Sequence, residues 1–331
     1  MIYRTNSIRV INNFININED KIIESFFENT AYNVMNEANF IENIKTAAKN
    51  FWKWIKEKVK SFFNILNEKI FSKIRANTFK RKQENKEITS STTITNDEVI
   101  ITIDMDKIPK ILLQNDQYIK DAFESINIDP ISKDMSAEEY NNYLFNMFKT
   151  FIEKLLPGIN IPNKASDEEI SNLIKEYLED IKIIDENGNI KEKYVKRISI
   201  KDTSDLKKAQ EYKNSCNERL AELVKKSINQ SNLIIYKLND LETKTNVIYT
   251  ELKNNEVINN IQDRHEEFFK VLNKSNSEML KRNQECAKLL AELDKEFNNL
   301  NNDINELVKD KNDTANNPKN ESGIFSNINF I

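Results

Sequence analysis

Glycine is almost missing from this chain. Three glycines and five prolines occur in 331 residues, and neither type occurs between Gly188 and Pro318. So few glycines argue against nucleotide loops of the usual Gly-rich kind. A single histidine, His265, argues against a Ser-His-Asp triad or a histidine cluster. The two cysteines, Cys216 and Cys286, lie far apart and outside any CxxC or Cys/His group, so neither a disulfide framework nor a zinc site is expected. Free thiols suit a reducing compartment. No 18-residue apolar run exists, which excludes an ordinary transmembrane helix. No uninterrupted apolar run follows Arg4 and Arg9, so no signal peptide is expected. Paired carboxylates are plentiful, but none singles itself out. We therefore expect no catalytic residue, no cofactor, no metal and no small-molecule substrate.

What is present is helix. From Lys201 to about Asp310 nothing breaks one, a length far beyond an ordinary globular helix. Two apolar seams with a 3.5-residue period run through it. The first is Ile234, Leu238, Leu241, Thr245, Ile248, Leu252. The second is Cys286, Leu290, Leu293, Phe297, Leu300, Ile304, Leu307. Such steps wind helices left-handedly about a partner. Asn229–Asn232 and the pair Asn254-Asn255 are weak points where the helix could fold back. His265 is in register with Ile261, Phe268 and Leu272, which reads as a seam residue rather than a ligand or base.

Net charge is −4, unevenly spread. Residues 44–86 hold thirteen basic and three acidic side chains, a surplus of ten, so the remainder carries −14. There Ile44, Ala48, Phe51, Ile55, Val59, Phe62, Leu66 and Ile70 recur at helical steps, widened by Trp52, Trp54 and Phe63. The lysines 45, 49, 53, 56 and 60 lie opposite or at the edge, and Lys80, Arg81 and Lys82 follow. This is a basic amphipathic helix over about residues 41–82. Its pattern decays at Lys69 and Lys73, where a bend or fraying is expected. Three uses compete for it. The apolar face (Phe51, Trp52, Trp54, Ile55, Val59, Phe62, Phe63, Leu66) can pack on the rest of the chain or a sister subunit. It can lie in a membrane interface. Or the lysines can neutralise nucleic-acid phosphates without reading sequence.

The remaining segments divide the chain. Residues 1–82 form an N-terminal helical segment, with a helix expected over 19–39. Residues 83–97 are a polar linker. Residues 98–200 form a small module with a strand at 99–105, short helices near 110–127, and capping boxes at Ser136-Ala-Glu-Glu139 and Ser166-Asp-Glu-Glu169. Asn187-Gly188 signals a hairpin within 181–200. The alternation of Asp185, Asn187 and Asn189 lacks calcium-loop spacing. Residues 201–312 are the coiled-coil or helical region and 313–331 a tail, whose apolar Ile324-Phe325 and Ile328–Ile331 could dock as a strand or on a partner. The expected fold is mostly α: a long coiled-coil or helical-hairpin C-terminal region, a basic amphipathic N-terminal helix and a small α+β middle module.

The stretch Phe51-Trp-Lys-Trp-Ile-Lys-Glu-Lys-Val-Lys-Ser-Phe-Phe, set in an Asn/Ile/Lys-rich chain with coiled-coil segments behind it, resembles uncharacterised virion structural proteins of A/T-rich bacteriophages. That resemblance covers about residues 40–80 and implies a structural or internal virion role, in a virion or host cytoplasm. The expectation is thus a non-enzymatic structural or assembly protein. Its coiled coil makes a homo-oligomer or braces other structural proteins, and its basic helix anchors it to a larger assembly, with nucleic acid or a membrane surface as other contacts through 44–86. The alternative is a membrane-active, pore-forming-like helical protein that uses residues 44–74 at a lipid interface.

Overall fold

A computed structural model describes residues 20–31, 37–84, 88, 97–252 and 261–309. It is mostly helical. Helix α1 (Asp20–Ala31) precedes α2 (Glu37–Leu66), which runs through a π turn (Asn67–Phe71) into α3 (Ser72–Gln83). Strand β1 (Glu98–Ile103) is followed by α4 (Lys110–Leu113), α5 (Asn115–Glu124), α6 (Ala137–Leu155) and α7 (Asp167–Asp180). Strand β2 (Val195–Ile200) leads into α8 (Thr203–Leu252), and α9 (Ile261–Lys309) follows.

The two long helices pair with each other inside one chain. Lys213 Nζ donates to Asn301 Oδ1 at 3.2 Å, and the Tyr249 ring stacks on His265 at 5.2 Å. Residues low in α8 therefore meet residues high in α9, and the reverse, so the pair is antiparallel. Helix α8 passes straight through Asn229–Asn232 and ends at Leu252. The other expected weak point, Asn254-Asn255, lies outside the described residues. The seams close this hairpin: Ile234, Leu238, Leu241, Ile248, Leu252, Leu290, Leu293, Phe297, Leu300 and Ile304 are all buried. Leu307 is only half-buried, and Val308 takes the inward place. Of the two expected arrangements, a coiled coil or a helical hairpin, the fold makes the hairpin.

The α2–α3 rod completes a three-helix bundle. Phe51 packs on Phe269 of α9 at 4.4 Å between ring centres, and Lys56 meets Glu242 of α8 at 2.7 Å. Twenty-five residues further on, Arg81 reaches Asp294 of α9 at 2.8 Å and Asn217 of α8 at 2.6 Å. The rod therefore runs parallel to α9 and antiparallel to α8. Its buried stripe steps through Ile55, Val59, Phe62 and Leu66, then takes a step of five to Phe71, and goes on through Ile74, Thr78 and Arg81. An α-helix needs steps of three or four. The π turn absorbs the extra residue, and Ser72 N–H donates to Asn67 O, five residues back. Without it everything downstream would rotate by about 100°. The expected bend at Lys69 and Lys73 is this rephasing, which keeps both lysines exposed.

Helices α4–α7 cover another face of α9. Buried Arg282 donates from Nε to the Leu155 carbonyl at the end of α6, and from its Nη atoms to Asn115 Oδ1 and the Ile111 carbonyl. Arg264 donates to the Lys133 and Met135 carbonyls, while the Tyr140 hydroxyl donates to the Arg264 carbonyl at 2.7 Å. Both expected capping boxes form, with Ser136 accepting from Glu139 N–H and Ser166 from Glu169 N–H. The expected hairpin is smaller than its signal. Gly188 takes φ 86°, but its arms share one bridge, Ile184–Ile190. The strand that follows pairs antiparallel with β1, from Glu98–Ile200 to Ile103–Val195. One apolar cluster runs from Ile23 to Phe297, so the front segment, middle module and long helices share a core. A smaller cluster joins Ile100 and Ile200 to Leu206, Leu300, Ile304 and Val308.

Two stability outcomes follow from this register. Asp294→Ala leaves the Arg81 guanidinium buried without its carboxylate and should lower stability by about 3–5 kcal/mol in urea unfolding, whereas replacing Arg81 and Asp294 together by Met and Leu should cost much less. Deleting Lys69 should turn the π turn into ordinary α-helix and leave the melting temperature near that of the parent. Inserting one alanine after Lys69 should swing Arg81 out of the core and cost several kcal/mol, on the order of a lost buried pair.

Candidate interaction surface

The aromatic face expected to anchor the chain elsewhere is already occupied. Phe51, Trp52, Ile55, Val59, Phe62, Phe63 and Leu66 are buried in the chain's own core. Trp52 meets Phe269 edge-on at 5.7 Å, and half-buried Trp54 meets Phe26 of α1 at 6.3 Å. Of the three expected uses, the fold shows the first: this face packs on the rest of the chain, against α1, α8 and α9. Among the described residues no helix is long and apolar enough to cross a membrane.

The basic residues separate into two groups. The inward ones hold the bundle together. Buried Arg81 binds Asp294, Asn217, Asn298 and Thr78. Lys56 pairs with Glu242, and buried Lys58 donates to Asn273 and Ser277. Half-buried Lys45 lies 3.8 Å from Glu42. The outward group remains for contact. Lys49, Lys53 and Lys60 share one exposed edge of α2, and Lys69, Lys73, Arg75, Lys80 and Lys82 are exposed beyond it. Lys80 has Glu84 at 3.5 Å, and only Glu57 and Glu68 interrupt the exposed row with opposite charge. Residues 49 to 82 extend the row over about 50 Å at 1.5 Å per residue.

A second concave feature lies between α7 and α9, a cleft of about 500 Å³. Sequence reasoning missed it, because its walls come from segments a hundred residues apart. Lys175, Lys182, Lys281 and Lys288 line it with Glu179, Asp185, Glu278, Glu285 and Glu292. Three of those lysines are consumed by acids three residues before them in the sequence: Lys182–Glu179, Lys281–Glu278 and Lys288–Glu285. Burial pushes the Glu292 carboxyl up, against the N–H groups of Ile183 and Ile184 that it accepts. The charged lining is therefore nearly self-neutralised.

The reactive side-chain types are sealed in the core. Burial pushes the Cys216 thiol up to about 12 and raises that of Cys286 as well. Both stay protonated and unreactive near neutrality. His265 is fully buried, bonded through Nδ1 to the Ile261 carbonyl at 2.7 Å and stacked on Tyr249. It is the core residue that its seam position indicated. Among the described residues no group of three His, Cys, Asp or Glu is placed to hold a metal ion. Comparison with protein-family models, with curated proteins and with solved structures finds no match.

The buried imidazole sets an acid limit. Desolvation lowers its pKa from 6.5 to about 4, so between those values the unfolded chain binds a proton that the folded chain refuses. This contribution is complete above pH 6.5 and is lost as pH falls toward 4. Unfolding free energy at pH 4.5 should thus be about 2 kcal/mol lower than at pH 7 from this group alone. In His265→Phe the pH dependence should flatten by that amount, measured by urea titration at both pH values.

Proposed function

We propose that this chain is a non-enzymatic structural or assembly protein. It acts as a self-braced helical strut that docks onto a polyanionic surface through the exposed row from Lys49 to Lys82. The observation that carries the reading is the partition of the basic residues. Those that face inward are committed to internal hydrogen bonds and ion pairs, while exposed cations with little opposite charge are left along the outer face of the α2–α3 rod. Such a row neutralises phosphates at regular spacing and reads no base edges. The apolar faces are spent on the chain's own core, so they favour neither oligomerisation through the seams nor lipid insertion. The likeness of residues 40–80 to virion structural proteins of A/T-rich bacteriophages supports a place within a particle, where packaged nucleic acid is the polyanion at hand.

The test is binding of the full chain to a random-sequence DNA duplex between about 50 and 200 mM salt. The reading predicts measurable affinity at the low end that falls steeply with salt. It also predicts that Lys49→Glu, Lys53→Glu and Lys60→Glu together reduce the log–log salt slope by roughly 0.9 for each phosphate that is no longer neutralised. Absence of binding at the lowest salt, or a triple variant that binds like the parent, contradicts it.

A further inference from the structure

The two-stranded sheet has one face packed, and on the other Ile103 is buried while Val99 and Ile101 are left exposed. Its inner face, through Ile100 and Ile200, joins the cluster built with Leu300, Ile304 and Val308 of α9. On the opposite face Val99 and Ile101 stand two residues apart on β1 and are 56% and 55% exposed. Their cross-strand neighbours are Ser199 and Arg197. Exposed apolar residues elsewhere, such as Phe79, Tyr236 and Val247, stand singly on helices. Val99 and Ile101 form a pair on one strand face, in a sheet that has two strands among the described residues.

Chain geometry selects what covers them. The last turn of α9 packs on this same sheet through Val308. From there a polar spacer, residues 310–323, leads to Ile324-Phe-Ser-Asn-Ile-Asn-Phe-Ile331. A spacer of that length and polarity reaches about 20 Å on average, more than the width of two strands at about 5 Å spacing. Within the segment Ile328 and Phe330 alternate with Asn327 and Asn329, the period that puts two apolar side chains on one face of a strand. The N-terminal segment is placed less well. It leads into α1, which meets α9 at Phe269 and Lys270, some 50 Å along α9 from Ile304 at about 1.5 Å per residue. Residues 89–96, which enter β1 directly, contain only Ile94 as an apolar side chain.

We propose that the segment Ile324–Ile331 of this same chain covers the outer face of β1, with Ile328 and Phe330 laid against Val99 and Ile101. The sheet then gains the second apolar layer that a two-stranded ribbon lacks.

A thiol placed under the segment tests this. Ile101→Cys is an exposed, apolar substitution, and the native Cys216 and Cys286 are buried, so the parent chain serves as a blank for maleimide labelling. The full-length I101C chain should label at least roughly tenfold more slowly than I101C ending at Gly323, in keeping with a local opening equilibrium. Ile328→Asp with Phe330→Asp in the full chain should restore the fast rate. Equal rates in all three overturn the proposal. So does protection that survives the Asp variants, which means that something else covers the face. Protection that disappears on dilution identifies a second copy as the cover and overturns it equally.

Discussion

A guanidinium can be buried only if its partners are placed around it, and Arg81 dictates where three helices stand. It takes Asp294 and Asn298 from α9, Asn217 from α8 and Thr78 from its own turn. Asn77 holds the second Asp294 oxygen at 2.7 Å, and Lys213, Asn301 and Glu84 extend the network toward the sheet. Apolar seams alone tolerate sliding by a heptad. A layer of fixed donors and acceptors does not, because any slip leaves a buried charge unpaired. The π turn exists in the service of this layer: it is the one-residue correction that brings Arg81 inward.

Helix α9 is the axis of the molecule. No residue from Phe268 to Asp294 is exposed, although the stretch contains Lys270, Asn273, Lys274, Arg282, Asn283 and Gln284. The α8 and α2–α3 helices take part of its surface and α4–α7 much of the rest. Two of its arginines are satisfied by backbone carbonyls of the short elements, as when Arg282 binds the Leu155 and Ile111 carbonyls. Those carbonyls lack partners within their own helices and carry the negative end of the helix dipole. An arginine there caps two helices at once. What remains on the outside is charge, and on the α2–α3 edge that charge is positive.

Local features were legible in the sequence. Both capping boxes, the long unbroken helices and the strand at β1 depend on residues within a few positions of each other, and each formed where its residues placed it. The seams were legible as seams, but a 3.5-residue period says nothing about whether the partner helix belongs to the same chain. The aromatic stripe from Phe51 to Leu66 suffers the same ambiguity, since a core face and a docking face have one composition. Pairing of β1 with β2 spans nearly a hundred residues and has no turn chemistry to announce it. Arg81 read as one of three terminal cations, because only the skipped residue between Leu66 and Phe71 distinguishes it from its neighbours. The charged cleft between α7 and α9 could not be read at all, since its walls meet only in the folded chain.

The register of the three-helix bundle requires the seams to close within one chain, and concentration tests that directly. The thermal midpoint of helix melting, followed by circular dichroism over a roughly hundredfold range of protein concentration, should not move, because an intramolecular bundle unfolds as a single molecule. A midpoint that climbs with concentration would mean that the long helices find their partners in other copies, and the intrachain register built on Arg81 and Asp294 would be wrong.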